Sequence, residues 1–142
     1  MKILSEFELR AKAEEFTSCI EKGYPEIVTP LTYVTISKGD EILIYSAFSD
    51  MGDFYFVGNT YVFRHSRGKG LYSKLLSLRN QLLDDKPKVT LVNPIEGTNI
   101  EILEEQVAKQ GGVKVRAYSD VADIMTEETY IILAKLPIYI YR

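Results

Sequence analysis

The sequence predicts an α/β fold with a mixed, mostly antiparallel central sheet and helices on both faces. Two observations carry this prediction: three successive segments are rich in β-branched and aromatic residues, and helical patterns then alternate with short apolar strands. The chain has 142 residues, of which 46% are hydrophobic and 26% are charged. A chain of this size and composition suits one compact core, so we expect a single domain over 1–142.

The first predicted element is an amphipathic helix. Ser5 and Glu8 form an S-x-x-E capping box, and apolar residues then recur at helical spacing as far as Ile20. Gly23 follows this run and is typical of a helix end. We therefore expect a helix that begins after Ser5 and ends near Gly23.

Three antiparallel strands are predicted next. Leu31–Ser37 and Glu41–Phe48 have strand composition and are separated by the turn at Gly39, which predicts a β-hairpin. Phe54–Phe63 is the third strand, and Gly58 within it indicates a β-bulge.

The pattern then changes from strand to helix. Gly68 and Gly70 lead into leucines at helical spacing through Leu82, which predicts a helix with a wide apolar face. Val89–Val92 follows as a short buried strand. Because a strand, helix and strand in succession normally form a crossover, this strand should lie parallel to Phe54–Phe63.

The last third of the chain is predicted to hold one helix and two strands. Thr98 begins a second capping box, and the helix that it opens ends at Gly111. Val113–Tyr118 and Thr129–Leu136 are the two predicted strands. The apolar tail Pro137–Tyr141 can pair with another strand or with a second chain, so a homodimer is one expectation.

Composition excludes several classes of function. The net charge of −3 and the pI near 5.3 argue against a nucleic-acid partner. Cys19 is the single cysteine, so an internal disulfide and a cysteine-rich metal site are excluded. No apolar run approaches the roughly 18 residues of a membrane span. We expect a soluble cytoplasmic protein with no metal and no membrane partner.

The segment from Arg67 to Ser73 carries the clearest chemical signal. It is a glycine-rich turn between a predicted strand and a predicted helix, where exposed backbone N–H groups and the helix dipole favour phosphate. A pyrophosphate would be bound mainly by the N–H groups from Gly68 to Tyr72, assisted by Arg67, Lys69 and the Ser73 hydroxyl. The spacings of a Walker A loop and of a dinucleotide-binding loop are both absent.

This segment resembles the signature of the GNAT superfamily of acyl-CoA-dependent N-acyltransferases. Val62 to Arg67 matches its V-x-x-x-x-R pattern, and Arg67 to Gly70 matches the start of R/Q-x-x-G-x-G/A. Tyr72 departs from the signature, since glycine or alanine is usual there. Asn99 and the helix that follows it are similar to a second family stretch, in which Gln106 occupies the position of the usual tyrosine.

The resemblance implies that acetyl-CoA, or a related acyl-CoA, lies in a cleft between two splayed parallel strands. Its pantetheine arm would pair with backbone groups near Val62, and its pyrophosphate would meet the glycine-rich turn. On this basis the expected cofactor-binding residues are Val62, Phe63, Arg64, Arg67, Gly68, Lys69, Gly70, Leu71, Tyr72, Ser73 and Asn99.

The implied activity is N-acetyl transfer, in which an amine attacks the thioester carbonyl directly in a ternary complex. The family's usual general acid falls at Gln106, which cannot donate a proton to a thiolate as tyrosine does. Tyr61 and Tyr118 are the candidate catalytic residues. The acceptor amine, whether a small molecule or a protein amine, is not specified by any motif.

Two alternatives to an enzyme stay open. The absent acid favours a non-catalytic acyl-CoA sensor of the same fold. A basic stripe, formed by Arg64, Arg67, Lys69, Lys74 and Arg79, would instead bind nucleic acid.

We also expect the Tyr72 ring to turn away from the cofactor and to pack beside Leu76 and Leu83.

Overall fold

The computed structural model describes residues 2–5, 25–29, 31–92 and 99–142. The strands within this part are β1 (Lys2–Ser5), β2 (Thr32–Lys38), β3 (Glu41–Asp50), β4 (Tyr55–Val62), β5 (Lys88–Leu91), β6 (Val113–Lys114) and β7 (Ile138–Tyr141). The helices within it are α1 (Leu71–Leu82), α2 (Ile100–Lys109) and α3 (Glu127–Leu133). The predicted helix between Ser5 and Gly23 lies outside the described residues.

The seven described strands form a sheet in the order β1-β2-β3-β4-β5-β7-β6. The β1–β2, β2–β3, β5–β7 and β6–β7 pairs are antiparallel, whereas β4 and β5 are parallel. The parallel pair is the one that the crossover rule requires, since α1 lies between β4 and β5 in the chain. The mixed, mostly antiparallel sheet is therefore confirmed.

The chain falls into two compact units. Unit 1 comprises Met1–Glu21, Pro30–Ser49 and Val57–Asp85, and unit 2 comprises Lys22–Thr29, Asp50–Phe56 and Lys86–Arg142. Strand β4 contributes its first two residues to unit 2 and the others to unit 1.

The core of unit 1 forms where α1 packs against β2 and β3. Val34, Ile44 and Leu75 have no exposed surface there, and partly buried apolar side chains surround them. The side chains of a strand alternate between its faces, so Tyr33 and Tyr45 lie on the opposite face of the same two strands. Their rings are in edge-to-face contact, with centroids 5.6 Å apart.

The core of unit 2 is built mainly from aliphatic residues. Val89 and Ile140 are opposite each other in the β5–β7 ladder and are both buried. Val121 and Leu133 are fully buried as well. These residues link the end of the chain to β5, which explains why the C-terminal tail is a strand inside the sheet.

Strand β4 has one irregular position. The Tyr55 amide donates to the Pro87 carbonyl on the β5 side, whereas the Phe63 amide donates to the Leu43 carbonyl on the β3 side. In a regular strand these two amides, an even number of residues apart, would point to the same side. The change of side occurs somewhere between these two residues, and the bulge at Gly58 stays a prediction.

The predicted strand Thr129–Leu136 is wrong, because the chain forms helix α3 there. Thr126 caps this helix by accepting a hydrogen bond from the Thr129 amide at 3.2 Å. Glu127 and Glu128 lie in its first turn, where the helix dipole favours negative charge. Capping and tertiary packing overrode the strand preference of Tyr130 and the isoleucines.

Three smaller expectations also change. The predicted strand Val113–Tyr118 is reduced to Val113–Lys114, because the Asp120 carboxylate accepts the Arg116 and Ala117 amides and turns the chain. Strand β1 was not predicted. The tail pairs with β5 and β6 in its own chain, so the tail gives no support to a homodimer.

Candidate functional site

The predicted phosphate-binding segment lies in unit 1, between the end of β4 and the start of α1. After Val62 the chain makes a short 3-10 turn over Arg64–Ser66, in which the Ser66 amide donates to the Phe63 carbonyl at 2.8 Å. A second turn, at residues 67–70, leads directly into the helix. The strand, glycine turn and helix therefore follow in the predicted order.

Two glycines in this turn have left-handed backbone conformations. Gly68 has a φ of 79°, and Gly70 has a φ of 70°. Residues with a Cβ atom rarely adopt such angles, whereas glycine adopts them at little cost. The glycines are thus required by the backbone path that brings β4 into α1.

Helix α1 begins with no side-chain cap. Gly70 is its N-cap residue and has no side chain to accept a hydrogen bond from the first turn. The first amides of a helix have no acceptor within the helix, so their N–H groups favour an anion. No acidic residue lies in the first turn of α1.

Arg67 extends this positive region along β4. Its Nε donates a hydrogen bond to the Val62 carbonyl at 3.1 Å, and its guanidinium carbon lies 5.7 Å from the centre of the Tyr61 ring. Lys69 and Lys74 follow Arg67 closely in the sequence, and both are exposed. The turn therefore combines backbone donors with exposed cationic side chains, both of which favour pyrophosphate.

Ser66 adds a buried polar atom beside the turn. Its side chain is 1% exposed, and within the described residues its hydroxyl has no hydrogen-bond partner. A buried hydroxyl without a partner is costly and uncommon in folded proteins. Sequence reasoning missed Ser66, although it directly precedes the matched motif.

Of the two candidate catalytic tyrosines, Tyr61 lies in unit 1 beside the turn. Its ring stacks on Tyr45 with centroids 5.9 Å apart and meets Phe63 edge-on at 5.4 Å. The half-buried ring therefore belongs to an aromatic row on β3 and β4.

Tyr118 and Asn99 lie in unit 2. The Tyr118 hydroxyl donates to the Met125 carbonyl at 2.9 Å. Asn99 is the N-cap residue of α2, and its side-chain oxygen accepts the Glu101 amide at 2.8 Å. Its observed role is helix capping, and its contact with a cofactor stays a prediction.

Two sequence interpretations need correction. The Tyr72 side chain is 40% exposed, so its ring is not buried as expected. Arg79 is 6% exposed and donates to the Ser46 hydroxyl at 2.8 Å, so it does not belong to an exposed basic stripe. Its spacing of four residues from Leu75 already placed it on the buried face of the helix.

Solved structures with a similar fold include GNAT-family acetyltransferases and an acyl-CoA N-acyltransferase. An acyl-CoA N-acyltransferase from Pseudomonas aeruginosa matches with a TM-score of 0.60 and 17% identity, covering 98% of this chain and 92% of the other. A GNAT-family acetyltransferase from Staphylococcus aureus matches with a TM-score of 0.58 and 12% identity, covering 98% and 96%. A GNAT-family protein from Bacteroides thetaiotaomicron has a TM-score of 0.60 and 10% identity, covering 99% and 86%.

These similarities define the class of fold. The chain has the fold of the GNAT acyltransferases, and the resemblance seen in its sequence is confirmed at the level of the fold. The sequence itself matches no protein-family model and no curated protein.

Two further features bear on partners. Among the described helices, none is both long and apolar enough to cross a membrane. Within the same residues, no group of three His, Cys, Asp or Glu side chains is placed to hold a metal ion.

Proposed function

We propose that this protein is an N-acetyltransferase that takes its acetyl group from acetyl-CoA, or an acyl group from a related acyl-CoA. The observation that carries the proposal is the start of α1, where left-handed glycines expose an uncapped helix end. A diphosphate fits such a site because the donors are backbone amides, which need no side-chain partner. The fold shared with acyl-CoA N-acyltransferases supports the same cofactor.

In the proposed complex the pyrophosphate lies against the amides from Gly68 to Ser73. Arg67 assists from the strand side, where it already contacts the Val62 carbonyl. The pantetheine arm would displace this contact, because the Val62 carbonyl is one of its expected partners. Arg67 would then be free to turn towards phosphate.

The proposed reaction is a direct attack of an amine nitrogen on the thioester carbonyl carbon. A C–N bond forms and the C–S bond breaks, while the amine loses a proton and the leaving thiolate gains one. Positioning of the two reactants supplies much of the rate acceleration in such a ternary complex. Tyr61 and Tyr118 are the proposed proton-handling groups.

A second candidate is a non-catalytic acyl-CoA-binding domain. Gln106 is exposed on α2 at the position where the family resemblance expects a tyrosine. Tyr118 has its hydroxyl proton engaged by the Met125 carbonyl, so proton donation would break an existing hydrogen bond. Both observations favour binding without turnover.

One experiment separates the candidates. Calorimetric titration with acetyl-CoA measures binding, and thiol release in the presence of a panel of amines measures transfer. Binding with amine-dependent thiol release is the expected result. Binding without release for every amine would favour the non-catalytic domain, and no binding would refute both.

A further inference from the structure

Unit 2 contains a cavity of about 400 Å³, which Tyr118 lines and the proposed cofactor-binding residues do not. It is formed by the segment before β4, around Asp53, and by the segment from Tyr118 to Thr129. Small-molecule sites in proteins usually have volumes of about 300–1,000 Å³. The cavity is therefore large enough for a compact organic ligand.

One wall of the cavity is fixed by Arg142. Its guanidinium donates to both carboxylate oxygens of Asp123, at 2.9 and 3.0 Å, and to the Asp120 carbonyl at 2.8 Å. The bidentate hydrogen bonds with Arg142 hold the pKa of Asp123 below its ordinary value. Asp123 is thus paired with Arg142, and the guanidinium balances its negative charge.

Another wall carries Asp53, and Lys86 fixes the residues next to it in the chain. Its ammonium group donates to the Asp50 carboxylate at 2.7 Å and to the Gly52 carbonyl at 2.8 Å. The Met51 amide also donates to the Phe54 carbonyl, which closes the turn that carries Asp53. Both walls are therefore held in place without a ligand.

Asp53 and Tyr118 provide acceptors in the cavity, beside the hydroxyls of Thr126 and Thr129, of which Thr126 donates to Thr129 at 3.1 Å. Tyr118 uses its one hydroxyl proton for the Met125 carbonyl, so its oxygen keeps lone pairs for a ligand. Asp53 is exposed, and within the described part of the chain it has no hydrogen bond or ion pair. None of the described residues that line the cavity is Lys, Arg or His.

Apolar residues share the lining with these polar groups, and the main apolar members are Met51, Phe54, Ile124 and Met125. Acceptors beside an apolar wall match a ligand that carries N–H donors, a positive charge and a short hydrocarbon arm. We propose that this cavity binds a primary alkylammonium ion, with its ammonium group at Asp53 and Tyr118 and its alkyl chain against the methionines.

The proposal can be tested by NMR titration with n-butylammonium, using 1-butanol and butanoate as neutral and anionic ligands of the same length. Amide shifts at residues 51–54 and 118–129 should saturate at lower concentration with the ammonium ion than with either of the other ligands. Equal titration by butanoate, or no shift in these two segments, would overturn the proposal. No acyl-CoA is present, so the result does not depend on the proposed acetyl transfer.

Two variants distinguish the contribution of the carboxylate charge to binding from that of the space in the cavity. Asp53→Asn should weaken butylammonium binding about tenfold and leave 1-butanol binding unchanged, whereas the exposed control Asp85→Asn should alter neither. Ala122→Phe, at an exposed lining position, should weaken binding of both ligands by filling the space. Wild-type affinity in Asp53→Asn would refute the assigned role of its carboxylate.

Discussion

The glycine turn of unit 1 and the cavity of unit 2 are built from different parts of the chain. The turn presents backbone amides, and its shape depends on the positive φ angles of Gly68 and Gly70. The cavity presents side chains that ion pairs hold in place at Asp123 and Asp50. Backbone geometry should therefore control anion binding at the glycine turn, whereas side-chain charge should control which ligand the cavity binds.

The two units also differ in their electrostatics. Among the described carboxyl groups, those with a pKa below the ordinary value are Asp50, Glu104, Asp120 and Asp123. All four belong to unit 2. The largest causes are hydrogen bonds from Lys86, Lys114, the Arg116 amide and Arg142, respectively. As far as the described carboxyl groups go, the stability of unit 2 should therefore depend more on pH than that of unit 1.

The largest effect is expected for Gly70→Val. A β-branched residue resists a φ of 70°, so the turn must change its path and misplace the helix amides. CoA affinity should fall about 100-fold by calorimetry. Gly39→Val is the matched control, since Gly39 has a φ of 63° and, as at Gly70, an added Cβ would meet no atom within 4 Å. Equal CoA affinity in the two variants would remove the turn as the cofactor site.

Arg79→Ala tests the buried side of the same helix. The change removes packed methylene groups and the hydrogen bond to Ser46, so the free energy of unfolding should fall by about 2 kcal/mol. Lys74→Ala, at an exposed position on α1, should change it by less than about 0.5 kcal/mol in the same denaturant titration. If Arg79→Ala keeps full stability and loses anion binding, the basic-stripe interpretation returns.

Arg67→Ala should have a smaller effect on the cofactor than Gly70→Val, because the main donors are backbone amides. We expect CoA affinity to fall about fivefold, with Arg67→Lys between this value and the wild type. Titration with dephospho-CoA locates the contact. Equal losses for CoA and dephospho-CoA place Arg67 at the pyrophosphate, and a loss confined to CoA places it at the 3′-phosphate.

The smallest effect is the acid sensitivity of unit 2. A lowered carboxyl pKa contributes stability that is present above the ordinary values of 3.8 for Asp and 4.5 for Glu, and that is lost as the pH falls through the lowered values. Hydrogen exchange, corrected for intrinsic rates, should show faster opening of unit 2 than of unit 1 below pH 4.5. High salt should reduce this difference, because the pairs are exposed.

Arg142→Gln provides the matched test of that pH dependence. Removing the guanidinium should flatten the acid response of the amides around Asp123 and leave the response around Glu104 unchanged. An identical acid response at both places would assign the effect to global unfolding.

The glycine turn and the strands around it could be predicted from local sequence patterns. Left-handed φ angles are a local property, so Gly68 and Gly70 could be recognised without knowledge of their neighbours. Strands β2 to β4 were predicted correctly because their β-branched and aromatic residues span seven to ten positions. The parallel partner of β4 followed from the crossover connection through a helix.

The C-terminal region and the cavity depend instead on contacts between distant parts of the chain. Thr129–Leu136 has the composition of a strand, yet Thr126 caps it as a helix and Ile138–Tyr141 takes the place beside β5. Short apolar segments fit either element, so long-range packing decides between them. The cavity combines residues near Asp53 with residues near Tyr118, far apart in the chain, and local sequence patterns carry no information about such distances.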